Sequence, residues 1–98
     1  MNNVKIRNGV VLLEIKGAFL LAADREARKH CRYVLELNDI GAMIWQSIET
    51  GMDEEAIIDC IMDTYDITDR TAVLADIKSF VRKLTEYGYL FTGEQDEV

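Results

Sequence analysis

The side chains best suited to nucleophilic or metal chemistry are one histidine and two cysteines. His30 and Cys31 are neighbours in a polar stretch, and adjacent side chains rarely meet at one point, as a nucleophile and its base must. They are therefore predicted to be solvated loop residues. With the distant Cys60 they supply too few ligands for a closed zinc site. Cys60 itself falls in an apolar helical pattern, which predicts a small buried residue.

Carboxylates form a second group, clustered on one predicted helix. They are interpreted as a solvated face whose first members complement the positive N-terminal end of the helix dipole. The chain also lacks a glycine-rich loop of the kind that cradles phosphates. The sequence therefore predicts no catalytic residue, no metal site and no cofactor, and a protein that is not an enzyme. The carboxylates are Asp53, Glu54, Glu55, Asp59 and Asp63.

The composition is typical of soluble globular proteins. The 98 residues are 49% hydrophobic and 30% charged, and none is proline, which suits one domain with a modest core. The longest apolar run, Ala18–Ala23, is too short to span a membrane. We expect a cytoplasmic protein with free thiols and no membrane partner. Residues 1–92 are predicted to form a single domain, and residues 93–98 an acidic, frayed tail.

Short strands are predicted in the N-terminal part of the chain. Residues 10–16 and Ala18–Ala23 are rich in aliphatic and β-branched side chains, and Gly17 between them predicts a hairpin. Residues 4–7 are predicted to form a further short edge strand. A polar, basic connection over residues 24–32 follows. Alternation then predicts one more strand, formed by Tyr33, Val34, Leu35, Glu36 and Leu37.

This last strand runs directly into a helix, with no residues left for a separate turn. Asn38 can accept a hydrogen bond from an N–H of the first helical turn, and Asp39 suits the positive end of the helix dipole. Gly51 predicts the end of the helix. The junction therefore fixes the direction of the helix relative to the strand. The apolar face predicted to enter the core is Ile40, Met43, Ile44, Trp45 and Ile48.

Two further helices are predicted by apolar residues at spacings of three and four. Asp53 is predicted to cap the second helix, and Thr68 or Asp69 the third. Gly88 ends the third helix, and the two residues after it are expected to fold back onto the last turn. The predicted buried stripes are Ala56, Ile57, Cys60, Ile61 and Tyr65 on the second helix and Val73, Ile77, Phe80, Leu84 and Tyr87 on the third.

Strands followed by three closely joined helices predict an α+β fold. Its architecture is winged helix-turn-helix-like, with an N-terminal three-stranded antiparallel sheet. Such a fold allows a winged-helix DNA-binding regulator as an alternative function. Charge argues against a nucleic-acid partner, because residues 36–98, which hold the helices, carry a net charge of −11 while residues 1–35 carry +4. A protein–protein adaptor that docks on an enzyme through the acidic second helix is the other alternative.

The third helix carries a secondary stripe, offset by one residue from its core stripe. Leu74 and Val81 on this stripe either widen the buried face or line a groove beside the strand at residues 33–37. An edge strand offers unpaired N–H and C=O groups to an extended peptide. Lys78 and Arg82 would then favour an acidic peptide. The same edge permits a homodimer by strand pairing or swapping.

An ordered set of residues between positions 33 and 90 has the spacing of a known family. The set consists of Leu37-Asn38, Ala42, Trp45, Gly51, Ile57, Ile61, Asp76-Ile77, Phe80-Val81, Leu84 and the closing residues Gly88, Tyr89 and Leu90. In this order and at these spacings it resembles the PqqD-like family.

The resemblance implies a domain that recognises ribosomally synthesised precursor peptides. Such domains bind the leader segment as an added antiparallel strand against the third helix, and present the core segment to a modifying enzyme, often a radical SAM protein. Carried onto this chain, the added strand would lie beside residues 33–37. The candidate peptide-binding residues are Tyr33, Val34, Leu35, Glu36, Leu37, Leu74, Lys78, Val81 and Arg82.

Overall fold

The computed structural model describes residues 4–31 and 33–92, so the predicted tail at residues 93–98 lies outside the described residues. Four strands precede the helices: β1 (Val4–Ile6), β2 (Val10–Ile15), β3 (Ala18–Ala23) and β4 (Leu35–Leu37). They are followed by α1 (Asp39–Glu49), α2 (Glu54–Tyr65), α3 (Arg70–Glu86) and a last strand, β5 (Leu90–Thr92). The predicted α+β fold, a three-stranded antiparallel sheet followed by three helices, is confirmed.

The larger of the two described sheets has three strands in the order β2-β3-β4, and both pairs of neighbouring strands are antiparallel. β2 and β3 form the predicted hairpin, in which Val10 lies opposite Ala23 and Ile15 opposite Ala18. Its turn uses Lys16 and Gly17, both with positive φ. β4 continues the sheet with Leu35 opposite Leu21. Because Leu21 is fully buried, the face that it shares with Leu35 is the one turned to the core.

The predicted edge strand at residues 4–7 exists, but it belongs to another sheet. β1 pairs with β5, with Val4 opposite Thr92 and Ile6 opposite Leu90. The predicted fold-back after Gly88 is confirmed, since Tyr89 and Leu90 are both buried. β5 was not among the strands predicted from the sequence. A strand of three residues is too short to show a periodic signal of its own.

Side-chain caps begin all three helices. The Asn38 carboxamide oxygen accepts from the Gly41 N–H at 2.7 Å, and Asp53 accepts from the first turn of α2 in the same way. Of the two residues predicted to cap α3, Asp69 is the one that does so. The strand-to-helix change within one residue at Asn38 is therefore confirmed.

The core differs from the predicted stripes at a few positions. Trp45 is fully buried, as predicted. On α2 the buried residues are Ile57, Ile58 and Ile61, whereas Cys60 is only partly buried and Tyr65 is exposed. The buried face of α2 is thus rotated toward Ile58, because three isoleucines bury more apolar surface than a face centred on Cys60. On α3, Tyr87 is exposed and Phe80 is partly buried.

The connection before β4 is not the solvated loop that was predicted. Ala27 and Cys31 are buried in the main core cluster, whereas His30 is exposed. The Asp24 carboxylate accepts from the Ala27 N–H at 2.8 Å and begins a short 3₁₀ turn over Ala27–Lys29. The turn places the side chains of Ala27 and Cys31 in the core, although most of the neighbouring residues in the chain are polar.

Gly88 has the most restricted position among the glycines that end helices. Its φ is +89°, and a Cβ there would overlap the carbonyl oxygen of His30. Gly17 has a similar φ of +82°, but a Cβ there would meet no atom within 4 Å. A side chain at Gly17 would therefore meet backbone strain alone, whereas a side chain at Gly88 would meet backbone strain and steric overlap.

We predict that Gly88→Ala destabilises the protein much more than Gly17→Ala. The left-handed backbone alone costs a non-glycine residue about 1 kcal/mol, and the overlap at Gly88 should raise the loss to about 3 kcal/mol or more. Urea unfolding followed by Trp45 fluorescence measures both. Equal losses in the two variants would contradict the close approach of Gly88 to His30.

Candidate functional site: the groove beside strand β4

β4 lies at the edge of its sheet. It pairs with β3 on one side, and no described strand pairs with its other side. That free edge faces a cleft of about 140 Å³ between β4 and α3. Backbone groups of an edge strand can accept a further strand. The cleft is lined by Leu35, Glu36 and Leu37 of β4, by Asn38 and Gly41 at the start of α1, and by Phe80, Lys83 and Leu84 of α3.

The cleft continues into a second cavity of about 330 Å³ over the first turns of α1. The two cavities share Asn38, Gly41, Phe80 and Lys83, so they form one continuous depression. We call it the β4 groove. The second cavity adds Ile40, Ile44, Asp76 and Ser79 to the lining residues.

Gly41 allows α1 and α3 to approach each other closely beneath the β4 groove. A Cβ at Gly41 would lie 3.3 Å from a ring carbon of Phe80 and 3.2 Å from the side-chain oxygen of Asn38. Most side-chain contacts are longer than this, so a larger residue would push Phe80 away. The missing side chain at Gly41 allows the ring of Phe80 on α3 to pack beside the α1 cap.

The five predicted residues of the strand divide into two groups. Leu35, Glu36 and Leu37 form β4 and line the groove. Tyr33 and Val34 precede β4 and are 62% and 64% exposed. The Tyr33 ring packs edge-on against Tyr87, with 6.3 Å between the ring centroids. The predicted strand is therefore two residues too long, and its first two side chains lie at the end of the groove.

The predicted residues of α3 do not line the β4 groove. Leu74 and Val81 are partly buried and pack against the main core cluster, whereas Lys78 and Arg82 are exposed. Arg70, one helical turn before Leu74, bonds to Asp59 of α2 at 2.8 Å and also to Glu55. This flank of α3 is therefore turned toward α2.

The opposite flank of α3 faces β4 and carries the lining residues that the sequence analysis missed. They are Asp76, Ser79 and Lys83, with Phe80 and Leu84 from the edge of the core stripe. The core stripe of a helix has a flank on each side. Periodicity predicts the stripe but does not say which flank lies beside a given strand.

The charges in the groove are few and of both signs. Among the described lining residues, Lys83 is the only cation and Asp76 is an anion; Glu36 also lines the groove, but the strand register turns its side chain to the outer face of the sheet. None of the three forms an ion pair with another described residue. Lys83 is exposed and therefore offers its ammonium group to whatever occupies the groove.

Hydrogen bonds at the end of α3 hold the chain that enters β4. The buried Tyr89 hydroxyl donates to the Tyr33 carbonyl and lies 3.5 Å from the Leu21 carbonyl. The Gly88 carbonyl accepts from the Cys31 thiol at 3.2 Å and from Arg7 Nε at 2.6 Å. These bonds tie the start of β4 to the end of α3, and so fix one end of the groove.

Burial alters two titratable groups in this cluster. It raises the pKa of the Cys31 thiol, and the nearby Arg7 charge only partly opposes the effect. Burial also raises the pKa of Tyr89, and the Cys31 thiolate would raise it further. Both groups are therefore held in their neutral, hydrogen-bond-donating forms at neutral pH.

The model of the family described as coenzyme PQQ synthesis protein D (PqqD) matches residues 9–90. The chain belongs to the PqqD family. The resemblance found in the sequence is thereby confirmed. No curated protein matches the chain significantly in sequence. In the described part of the chain, no group of three or more His, Cys, Asp or Glu side chains could hold a metal ion, and no helix is long and apolar enough to cross a membrane.

Two solved structures have a similar fold. The first is "TbiB1 in Complex with the TbiA(beta) Leader Peptide", with a TM-score of 0.74, 29% identity and coverage of 94% of this chain and 99% of that chain. The second is "Lasso peptide synthetase B1 complexed with the leader peptide", with a TM-score of 0.74, 20% identity and coverage of 91% and 98%. The second likeness concerns the fold alone.

We predict that stability falls at alkaline pH because of Cys31. As pH rises through the pKa of the unfolded thiol, near its usual value of 9.0, the unfolded chain loses a proton that the folded chain retains. The free energy of unfolding should therefore be level below about pH 8 and decline between about pH 8 and 10. In Cys31→Ala the decline should be shallower. Cys60→Ala is the control, and a Cys31→Ala slope as steep as that control's would contradict the assignment.

We also predict that Leu74→Asp destabilises the fold by about 2 kcal/mol or more, because it buries a carboxylate against the core. Lys78→Asp, one turn further on the same flank but exposed, should change stability by less than about 0.5 kcal/mol. Urea unfolding of both variants makes the comparison. An unchanged stability of Leu74→Asp would mean that this flank is a free surface.

Proposed function

We propose that this protein is a cytoplasmic, non-catalytic peptide chaperone. It binds the leader segment of a ribosomally synthesised precursor peptide in the β4 groove and presents the rest of the precursor to a modifying enzyme, such as a radical SAM protein. Family membership supports this role, as does the 29% identical TbiB1, whose solved structure contains a leader peptide. The observation that carries the proposal is the open edge of β4 beside an apolar wall of α3.

Strand addition explains how such a groove can bind a peptide with few side-chain contacts. The free N–H and C=O groups of β4 supply main-chain hydrogen bonds and fix the register of the added strand. Alternate peptide side chains then point toward Leu35 and Leu37 of β4 and toward Phe80 and Leu84 of α3. The groove therefore favours an extended segment with apolar residues at every second position.

The groove also orients the peptide. The lining residues of α3 change from Leu84 to Phe80 and then Asp76 as the groove passes from β4 to α1. α3 thus runs against the direction of β4. A leader antiparallel to β4 would have its N-terminal side near Asp76 and its C-terminal side near Tyr33 and Tyr87, from which the core segment would continue.

Chemical-shift mapping tests this proposal directly. Isotope-labelled protein is titrated with the leader segment of a short peptide encoded beside its gene, and the backbone amide shifts are followed. We expect the largest shifts in Leu35, Glu36, Leu37 and Gly41 and along α3 from Asp76 to Leu84. Absence of shifts at high peptide excess would refute leader binding in this groove for that peptide.

Two lysines of α3, one inside the groove and one outside it, allow a more specific test. We predict that Lys83→Glu weakens the binding of an acidic leader about threefold to tenfold, because it replaces the only cation among the described lining residues with an anion. Lys78→Glu makes the same change of charge on the same helix but outside the groove, and should change the affinity by less than about twofold. Isothermal titration calorimetry measures both variants. A larger loss for Lys78→Glu would instead support peptide binding on the flank of α3 that carries Leu74 and Lys78.

A further inference from the structure

The β2–β3 hairpin has an apolar face on the side of the sheet away from the core. Directly opposite residues in antiparallel strands point to the same face, and the register places Val11 opposite Ala22, Leu13 opposite Leu20 and Ile15 opposite Ala18. The alternate residues, including the fully buried Leu21, point to the core. We call the outward set the wing face. It consists of Val11, Leu13, Ile15, Ala18, Leu20 and Ala22.

The wing face is exposed although it has no polar side chain. Val11, Leu13 and Ile15 are 51%, 40% and 49% exposed. An antiparallel sheet with one solvated face usually alternates apolar and polar residues, but β2 has aliphatic residues at all but one position. The exposed apolar side chains of β2 therefore adjoin one another on one face and are not scattered singly over the surface.

The wing face is continuous with the edge that the proposed peptide would join. Leu20 lies opposite Glu36 of β4, so Glu36 extends the same face by one strand. A leader strand added beside β4 would extend it by another, with every second peptide side chain pointing to this side. A protein that covered this side of the sheet would contact the wing face and the bound leader at the same time.

The size of the wing face argues against a second copy of the chain as its occupant. β2 and β3 each have six residues and are therefore about 20 Å long, and two paired strands are about 10 Å wide. Each copy would therefore contribute about 200 Å² to a dimer interface. A stable interface buries about 800 Å² on each partner. Four strands, including β4 and the leader, roughly double the area, which then suits a transient partner that binds after the leader.

We propose that the wing face is the docking surface for the enzyme that acts on the bound precursor. This inference rests on the proposed function. The enzyme presents a flat apolar patch to Val11, Leu13 and Ile15, and a cation where it meets Glu36. Because the leader completes the surface, the enzyme binds the leader complex more tightly than the free protein.

The test combines two substitutions on the wing face, Leu13→Thr and Ile15→Thr. Threonine is β-branched and therefore suits a strand, but it removes most of the apolar surface of both side chains. Glu14→Thr is the matched control, because it lies on the same strand and its side chain points to the other face. The probes are the precursor peptide and the modifying enzyme encoded beside this protein's gene. Calorimetry measures leader binding, and biolayer interferometry measures enzyme binding with and without leader.

We expect the double variant to bind the leader as the wild type does and to lose about tenfold or more in affinity for the enzyme. Glu14→Thr should preserve both affinities. Unchanged enzyme affinity in the double variant overturns the docking proposal and leaves leader recognition standing. A wild type that fails to bind the leader overturns the proposed function and, with it, this inference. A wild-type dimer in sedimentation that the double variant converts to monomer assigns the wing face to a second copy and also overturns the proposal.

Discussion

The groove depends on the clamp between the end of α3 and the chain that enters β4. Just after α3, the chain comes close to the start of β4 at Gly88, whose carbonyl accepts hydrogen bonds from Cys31 and Arg7. The next residue, Tyr89, inserts a buried ring and donates its hydroxyl to the Tyr33 carbonyl. Without these bonds, the start of β4 would be held by β3 alone, and its distance from α3 would not be fixed at this end. The clamp therefore sets the width of the groove at one end.

The other end of the groove is set by the junction of β4 and α1. Asn38 ends the strand and caps the helix in one residue, so no loop can change the angle between them. Gly41 then lets Phe80 of α3 approach the cap. The two ends use different chemistry. A buried hydroxyl and thiol hold one end, and close packing around a missing side chain holds the other. The groove is thus preorganised before any peptide arrives, which reduces the ordering cost of binding.

Much of the fold could be predicted from the sequence because its signals are local. The caps at Asn38 and Asp53, the hairpin at Gly17 and the fold-back after Gly88 each depend on residues a few positions apart. The features that could not be predicted depend on distant partners. β1 finds β5 at the other end of the chain, and the buried Cys31 thiol donates its hydrogen bond to the carbonyl of Gly88, 57 residues away.

In the candidate site, too, the features set by neighbouring residues could be predicted, and those set by contacts between distant residues could not. The strand at residues 35–37 and the importance of α3 were predictable, because alternation and periodicity reveal them. The flank of α3 that faces the strand was not, since Leu74 and Lys83 are both next to the core stripe. Only the tertiary contacts of the two flanks separate them. Arg70 ties one flank to α2, which leaves the flank with Lys83 to face β4.

The short β4 strand can serve three purposes because its groups point in three directions. Leu35 and Leu37 point to the core side, the free N–H and C=O groups point along the sheet into the groove, and Glu36 belongs to the outer side together with the wing face. These directions are close to perpendicular in any strand. Folding, leader binding and the proposed enzyme docking can therefore use β4 together without competing for the same atoms. A helix could not serve in this way, because its backbone groups are already bonded within the helix.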